Sequence, residues 1–295
     1  MQKVTHSEYI AQKKPLAKQL LAKLNEKYQY ASVLITDNYE KGYRASRSGV
    51  AISATNAFGG KGMIVKVYDG KGYAEYSTNE ITAENLPEIE REIEQQLMNP
   101  ANFIPEGTEE AEYKCISDEP CTLCEATDYE IHPREVGDEK LIETVTALRE
   151  KAVKADERIL DAITGFNYQE YHKLFLSANR ELEQSVLYST GIMALVAAKG
   201  EEIKQSFRGF SNLGGAELLD KMASAIQQCV ITVTDLLNAE PMEPGTYECI
   251  CTPEVTGMIV HEAFGHGVEM DMFVKDRALA QSYIGKQVAS PLVTM

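Results

Sequence analysis

The chain has 295 residues, of which 44% are hydrophobic, and a formal net charge of -16 at pH 7. This length and composition allow one large or two ordinary domains with a substantial core. Binding to nucleic acid or to an anionic membrane needs a basic surface, so the negative charge argues against both. No apolar run reaches the length of a membrane span and the polar first residues do not resemble a secretory signal, so we expect a cytoplasmic protein.

An α+β subdomain is predicted over residues 1–98. Apolar residues at helical spacing predict an amphipathic helix over residues 8–27, in which Pro15 is a point where the helix could break or start late. The hydrophobic period then changes to two, which predicts antiparallel strands with a hairpin at Asp69. A second helix is expected over residues 82–98.

Residues 99–137 are acidic and contain four prolines, which predicts a linker or an excursion from the fold. In this stretch Cys115, Cys121 and Cys124, with His132 nearby, offer the four ligands of a structural zinc site. Only the Cys-x-x-Cys pair has a spacing typical of zinc sites, so we expect free thiols in a loop, with the zinc site as the alternative. Six cysteines in a chain without a signal peptide indicate reduced thiols rather than a disulfide scaffold.

A middle α+β subdomain is predicted over residues 138–240. It begins with a helix to about residue 155, followed by alternating segments over 159–210 that indicate another antiparallel sheet. Residues 209–215 form a glycine-rich stretch without a Walker or dinucleotide pattern, so we assign it no phosphate-binding role. A further helix is predicted over residues 216–237.

The last region is residues 241–295. Pro241 and Pro244, at its start, mark the boundary. A short strand is expected over residues 247–251, and the next helix is expected to start at Pro253. This helix continues into the part of the chain with the strongest chemical signal.

That signal is His261-Glu262-Ala263-Phe264-Gly265-His266, where three groups able to do metal chemistry fall within six residues. The pattern resembles the His-Glu-x-x-His motif of zinc peptidases, but with one more residue between the histidines. At about 100° per residue, histidines five apart diverge by about 140° on a regular α-helix. They can converge if the helix carries a π-bulge or unwinds at Gly265, which lacks a Cβ. Two histidines that lie close in sequence without a shared role are the alternative.

The motif and its surroundings closely resemble the TldD/PmbA family of cytoplasmic metallopeptidases. The matching stretches are Gly62–Thr78, Pro244–Tyr247, the HExxxH motif with Glu269 and Asp271, and Gln287–Thr294. The predicted order of helices and sheets agrees with the family along most of the chain. The resemblance favours a TldD-type subunit, because the PmbA-type subunit lacks the motif.

The resemblance implies zinc bound by His261 and His266, with Glu262 as the general base in the hydrolysis of unfolded or extended peptides. Glu269 and Asp271 are candidates to orient the imidazoles, with a solvated acidic patch as the alternative for them. The resemblance also implies a homodimer, or a heterodimer with a PmbA-type subunit.

The family's third zinc ligand is a cysteine in the C-terminal portion, whereas this chain has no cysteine after Cys251. We therefore expect a C-terminally truncated chain whose third ligand lies beyond its end, and which could itself be inactive. The alternative function is a non-catalytic scaffold or partner subunit with an incomplete metal site. The expected fold class is α+β, with antiparallel sheets and packed helices followed by the start of a truncated metal-binding domain.

Overall fold

The computed structural model describes residues 1–54, 60–70, 72–98, 119–274 and 277–295. Its strands are β1 (Gln2–Lys3), β2 (Tyr30–Ser46), β3 (Gly49–Ala54), β4 (Gly60–Tyr68), β5 (Tyr73–Thr78), β6 (Cys121–Ala126), β7 (Asp128–Tyr129), β8 (Ile159–Ser177), β9 (Arg180–Lys199) and β10 (Glu202–Asn212). Its α-helices are α1 (Glu8–Lys27), α2 (Leu86–Met98), α3 (Pro133–Val136), α4 (Asp138–Lys154), α5 (Leu218–Leu236), α6 (Pro253–Val260) and α7 (Met270–Val274). The chain forms two units, Met1–Ala239 and Glu240–Met295.

The first unit is built on one eight-stranded sheet in the order β10-β9-β8-β2-β4-β5, with β3 paired to β2 and β6 paired to β9. Its spine consists of β2, β8 and β9, which are 17, 19 and 20 residues long. Each side of this spine carries two shorter strands end to end, β3 and β4 along β2, and β6 and β10 along β9. All of these pairings are antiparallel except that of β6 with β9. The α+β class with antiparallel sheets is confirmed.

The structure differs from the sequence-based division into subdomains 1–98 and 138–240. Strands β2 and β8 pair without interruption from Ser32 opposite Ser177 to Ala45 opposite Thr164, so the two regions share one sheet. Hydrophobic alternation identifies a strand but does not identify its partner, which is why two sheets were expected. The boundary predicted near residue 241 lies next to the division between the two units.

Four long helices cover one face of this sheet in two groups. Strand residues that alternate to this face, such as Val33 and Tyr43 on β2, are almost completely buried. Helices α1 and α2 pack over one end of the sheet with the buried residues Ile10, Leu20, Leu24, Val33, Val65, Ile89, Ile93 and Leu174. Helices α4 and α5 pack over the other end with Tyr43, Leu141, Val145, Phe166, Met193, Leu195, Met222 and Val230.

Helix α1 runs unbroken through Pro15. Its start is fixed by Ser7, whose hydroxyl accepts a hydrogen bond from the Ile10 N–H at 3.1 Å. Proline removes one backbone donor, but Leu20 and Leu24 beyond it are buried in the core, and this packing holds the helix together. Helix α2 begins at Leu86, four residues later than predicted from residue 82.

The described part of the predicted linker 99–137, from residue 119 onward, is folded into the first unit. Residues 99–118 lie outside the described residues, but β6 pairs with β9, β7 pairs with β1, and the short helix α3 follows. The segment before α3 is attached to the start of α5, because the Ala216 N–H donates to the Ile131 carbonyl at 2.8 Å. The predicted glycine-rich loop is also shorter than expected, since β10 continues to Asn212.

The second unit consists of short helices and turns. The strand predicted over residues 247–251 is not formed; Ile250 there is fully exposed, and Cys249 and Cys251 are exposed as well. A strand needs a hydrogen-bonded neighbour, and the described part of this unit contains no strand that could pair with it. In neither unit does a described helix combine the length and the apolar character that crossing a membrane requires.

The close approach of residue 215 to Ile131 gives a stability test. A Cβ on Gly215 would overlap the Ile131 carbonyl oxygen, whereas a Cβ on Gly209 would meet no atom within 4 Å. We expect Gly215→Ala to lower the free energy of unfolding by about 1–3 kcal/mol because the backbone must shift. Gly209→Ala is the matched control, with a change of about 0.5 kcal/mol or less. Urea denaturation measures both, and equal midpoints for the two variants would contradict the contact.

Candidate metal centre

The HExxxH motif lies on an irregular continuation of helix α6. The α-helical turns end at Val260, and His261–Gly265 form a single π-helical turn. A π-turn holds about one residue more than an α-turn, so side chains five apart come to the same face. The ring centroids of His261 and His266 are 4.5 Å apart and their planes are inclined at 69°. Of the two routes to convergence that the spacing allowed, the structure takes the π-bulge.

The other route, unwinding at Gly265, is not used. Gly265 has φ -56° and ψ -50°, which are ordinary right-handed helical values. A Cβ there would have His261 Nδ1 as its nearest neighbour, at 3.7 Å, an ordinary van der Waals contact. The convergence of the histidines therefore depends on the hydrogen-bonding pattern of the turn and not on the conformational freedom of glycine.

Glu262 lies beside the histidine pair. One of its carboxylate oxygens is 3.8 Å from His266 Nε2, and its side chain is 64% exposed. Donor atoms of His261, Glu262 and His266 all lie within 4.8 Å of one another. Two imidazoles and a carboxylate are a donor set that suits zinc, so the residues present fit a metal of this class.

Glu269 orients one of the imidazoles. Its carboxylate lies 2.9 Å from His266 Nδ1 and accepts the proton of that nitrogen. With the proton on Nδ1, Nε2 keeps the free lone pair that can bind a metal ion. This arrangement is common around metal-binding histidines. Asp271, the other carboxylate singled out in the sequence, lies on α7, and its role stays a prediction.

A groove with a volume of about 760 Å³ runs past the motif within the second unit. Its lining is mostly apolar and consists of Thr256, Gly257, Val260, His261, Gly265, Val268, Glu269, Leu292, Val293, Thr294 and Met295. Gly257 has no atom within 4 Å of where a Cβ would stand, so it leaves open space one helical turn before His261. The sequence did not predict the groove. The available signal was Gly257, a residue without a side chain that lies one helical turn before His261 and so on the same face.

The cysteine-rich set predicted as a second metal site is not brought together by the described residues. Cys115 lies outside them, and Cys121 and Cys124 are three apart on β6, so their side chains point to opposite faces. His132 instead caps α3 by accepting the Arg134 N–H at Nδ1, at 3.2 Å. The Cys-x-x-Cys spacing brings two thiols together in a turn. On an extended strand, where side chains alternate between faces, the same spacing separates them.

Comparison with known proteins finds a family model that matches the C-terminal part of the chain. Residues 244–295, which include the whole motif, match the family model of the PmbA/TldA metallopeptidase C-terminal domain. A metalloprotease of Methanocaldococcus jannaschii is 20% identical over 278 residues, which cover 93% of this chain and 59% of that protein. These matches support a member of the TldD/PmbA family.

Solved structures support the fold of this family member. A Bacteroides thetaiotaomicron protein, provisionally described as a modulator of DNA gyrase, superimposes with a TM-score of 0.70 at 17% identity, covering 94% of this chain and 62% of the other. TldE from Thermococcus kodakarensis superimposes with a TM-score of 0.50 at 15% identity, covering 74% and 47%. The chain spans 22% to 59% of the length of the archaeal metalloproteases that it matches. These archaeal relatives are named metalloproteases.

The geometry of the π-turn predicts how residue 265 responds to substitution. Gly265→Ala should keep the histidines together, because the backbone angles and the space both accept a Cβ. Gly265→Pro should separate them, because it removes a backbone donor inside the turn and costs about 3 kcal/mol in a helix. Crystal structures of the two variants measure the distance between the imidazoles. Separated rings in Gly265→Ala would show that glycine itself is required.

Proposed function

We propose that this chain is the metal-bearing, TldD-type part of a cytoplasmic zinc-dependent peptidase that acts on unfolded or extended peptides. The observation that carries the proposal is the π-turn, which brings His261 and His266 together with Glu262 beside them. The family membership and the metalloprotease relatives support the same class of reaction. The activity of the whole protein is part of the proposal, since the chain spans less than two thirds of those relatives.

The imidazoles of His261 and His266 would hold the metal, and Glu269 would keep His266 in the tautomer that leaves Nε2 free. Zinc held there would supply polarisation of the scissile carbonyl and a bound water whose pKa is about 7. The third ligand that the family resemblance implies is a cysteine, and the sequence contains none after Cys251.

Glu262 would act as the general base. Its exposed carboxylate lies on the same turn as the histidine pair and is free to reach a water molecule at the open side of the site. It would take the proton of the attacking water and then deliver it to the leaving amine.

The groove beside the motif supports an extended substrate. It is open, it is mostly apolar, and His261 forms part of its lining, so a segment of unfolded chain would pass the reactive centre side-on. A folded protein surface would not enter a groove of this size. Pairing with a second subunit, either a copy of this chain or a PmbA-type partner, is part of the proposal, supported by the similarity to TldE.

Replacing the base separates metal binding from catalysis. In Glu262→Gln the histidines are unchanged, so the chain should keep its zinc while peptidase activity falls by about 10²–10⁴-fold. Zinc content by atomic spectroscopy and hydrolysis of a denatured protein substrate measure the two properties. Full activity in this variant would remove Glu262 from the mechanism.

Replacing the orienting carboxylate tests the tautomer. Glu269→Gln should weaken zinc binding by about 10–100-fold, because His266 loses the acceptor that leaves Nε2 free. Glu248→Gln is the matched control, as it removes an exposed negative charge of the same unit away from the motif. Equal zinc affinities in the two variants would reduce the role of Glu269 to that of a surface charge.

A non-catalytic scaffold or partner subunit is the competing function. The exposure of His261, Glu262 and His266 favours it, since an exposed pair of imidazoles leaves much of the coordination shell to water. On this hypothesis the purified chain would contain no zinc, and neither Glu262→Gln nor Glu269→Gln would change any measured property. Stoichiometric zinc in the chain rejects it.

A further inference from the structure

The first unit contains a second group of metal-ligating side chains, formed by His6, Cys124 and Glu183. Donor atoms of these three residues all lie within 4.8 Å of one another. Below, the group is called the His6 cluster. It has no residue in common with the cysteine-rich set of the sequence except Cys124, and it lies in the other unit from the HExxxH motif.

Sheet pairing brings two of the three residues together. Strand β6 runs parallel to β9, and in this register Cys124 is opposite Glu183, so both side chains leave the sheet on the same face. His6 comes from the segment before α1, and its Nε2 lies 3.4 Å from Cys124 Sγ. In a tetrahedral zinc site with a Zn–S bond of about 2.3 Å and a Zn–N bond of about 2.0 Å, these two donors would be about 3.5 Å apart.

A buried hydrogen-bond chain prepares the imidazole for metal binding. The Ser185 hydroxyl is buried between two imidazoles, 2.9 Å from His6 Nδ1 and 3.0 Å from His172 Nδ1. A hydroxyl has one proton, so it donates to one of these nitrogens and accepts from the other. If it accepts from His6 and donates to His172, both imidazoles are neutral and His6 Nε2 presents its lone pair to Cys124.

The contact between His172 and Glu170, at the other end of this series of side chains, supports this direction of the hydrogen bonds. His172 Nε2 lies 3.6 Å from the buried carboxylate of Glu170. Burial opposes the ionisation of Glu170, but the hydrogen bond from His172 and the charge of Arg134 outweigh it and lower the pKa of this carboxyl. An ionised Glu170 favours the His172 tautomer with its proton on Nε2, in which Nδ1 accepts from Ser185.

Glu183 contributes a charged and largely buried carboxylate. One of its oxygens is paired with Lys14 Nζ at 2.8 Å, while the other lies 3.8 Å from His6 Nδ1. Cys124 is exposed, so an ion and a water molecule can reach the cluster from solvent. The three donor types, imidazole, thiol and carboxylate, are those of zinc sites that keep one position for water.

We propose that His6, Cys124 and Glu183 form a binding site for a thiophilic divalent metal ion of the zinc class. Binding releases the Cys124 thiol proton to solvent, and the resulting thiolate, the His6 Nε2 lone pair and the Glu183 carboxylate become ligands. The bound ion would connect the segment before α1 to β6 and β9, and so stabilise the folded unit.

Cobalt(II) titration of the full chain tests this proposal. A cysteine thiolate bound to cobalt gives a near-ultraviolet charge-transfer band that histidine and carboxylate ligands do not give. The titration is done in the His261→Ala/His266→Ala background, which removes the HExxxH motif as a competing site. We expect a band that saturates at one cobalt per chain and disappears in Cys124→Ser and in His6→Ala.

The matched control is Cys121→Ser, which lies on the same strand but on its opposite face and should keep the band unchanged. Cys249→Ser/Cys251→Ser, in the other unit, should also keep it. Ser185→Ala tests the positioning chain and should weaken cobalt binding by about 10–100-fold, as loss of a residue that orients a ligand does. Circular dichroism establishes that each variant is folded.

The proposal fails if the chain gives no charge-transfer band, or if the band survives Cys124→Ser. A band that is lost in Cys121→Ser and kept in Cys124→Ser would identify Cys121, on the opposite face of β6, as the thiolate ligand and would contradict the proposal. None of these results depends on peptidase activity, so the His6 cluster and the proposed function stand or fall separately.

Discussion

The pairing of β2 with β8 is the interaction on which the rest of the first unit depends. It joins segments far apart in the chain into one sheet and continues for almost the full length of both strands. Because side chains alternate along these strands, the apolar residues collect on one face. Helices α1 and α2 cover this face at one end of the sheet, and α4 and α5 cover it at the other. The polar residues Glu170, His172 and Ser185 lie on the same face, on the stretch of sheet between the two cores.

That stretch explains why a polar cluster is tolerated inside the unit. A buried polar group is costly unless it has a partner, and here hydrogen bonds join His6, Ser185 and His172, while Glu170 is paired with Arg134 at 2.8 Å. Such a network specifies the orientation of its end groups as well as their burial. The His6 imidazole is one of these end groups, and it faces a thiol and a carboxylate.

The two candidate metal centres are built by different kinds of structure. The HExxxH motif lies within six consecutive residues, and a single π-turn is enough to bring its histidines together. The His6 cluster combines residues up to 177 positions apart, and it exists only because β6 adds to β9 in a parallel register. The first centre is exposed and bordered by a groove, as a site that receives substrate must be, whereas the second has a largely buried carboxylate and a network behind it, as suits a stabilising ion.

The sequence alone determined the features that are local. Helix α1, helix α4, most strands of the sheet, the boundary near residue 240 and the need for an irregular helix at His261 all follow from periodicity and spacing, because these depend on neighbouring residues. The tertiary structure decided the single sheet, the folding of residues 121–136 onto it, the absence of a strand at residues 247–251 and the partnership of Cys124 with His6. Each of these depends on which distant segment lies opposite, and a strand's own residues do not state its partner. The π-turn depends on both the sequence and the tertiary structure. The spacing of His261 and His266 required a distorted helix, and only the structure shows that the distortion is a π-turn in which Gly265 keeps ordinary helical angles.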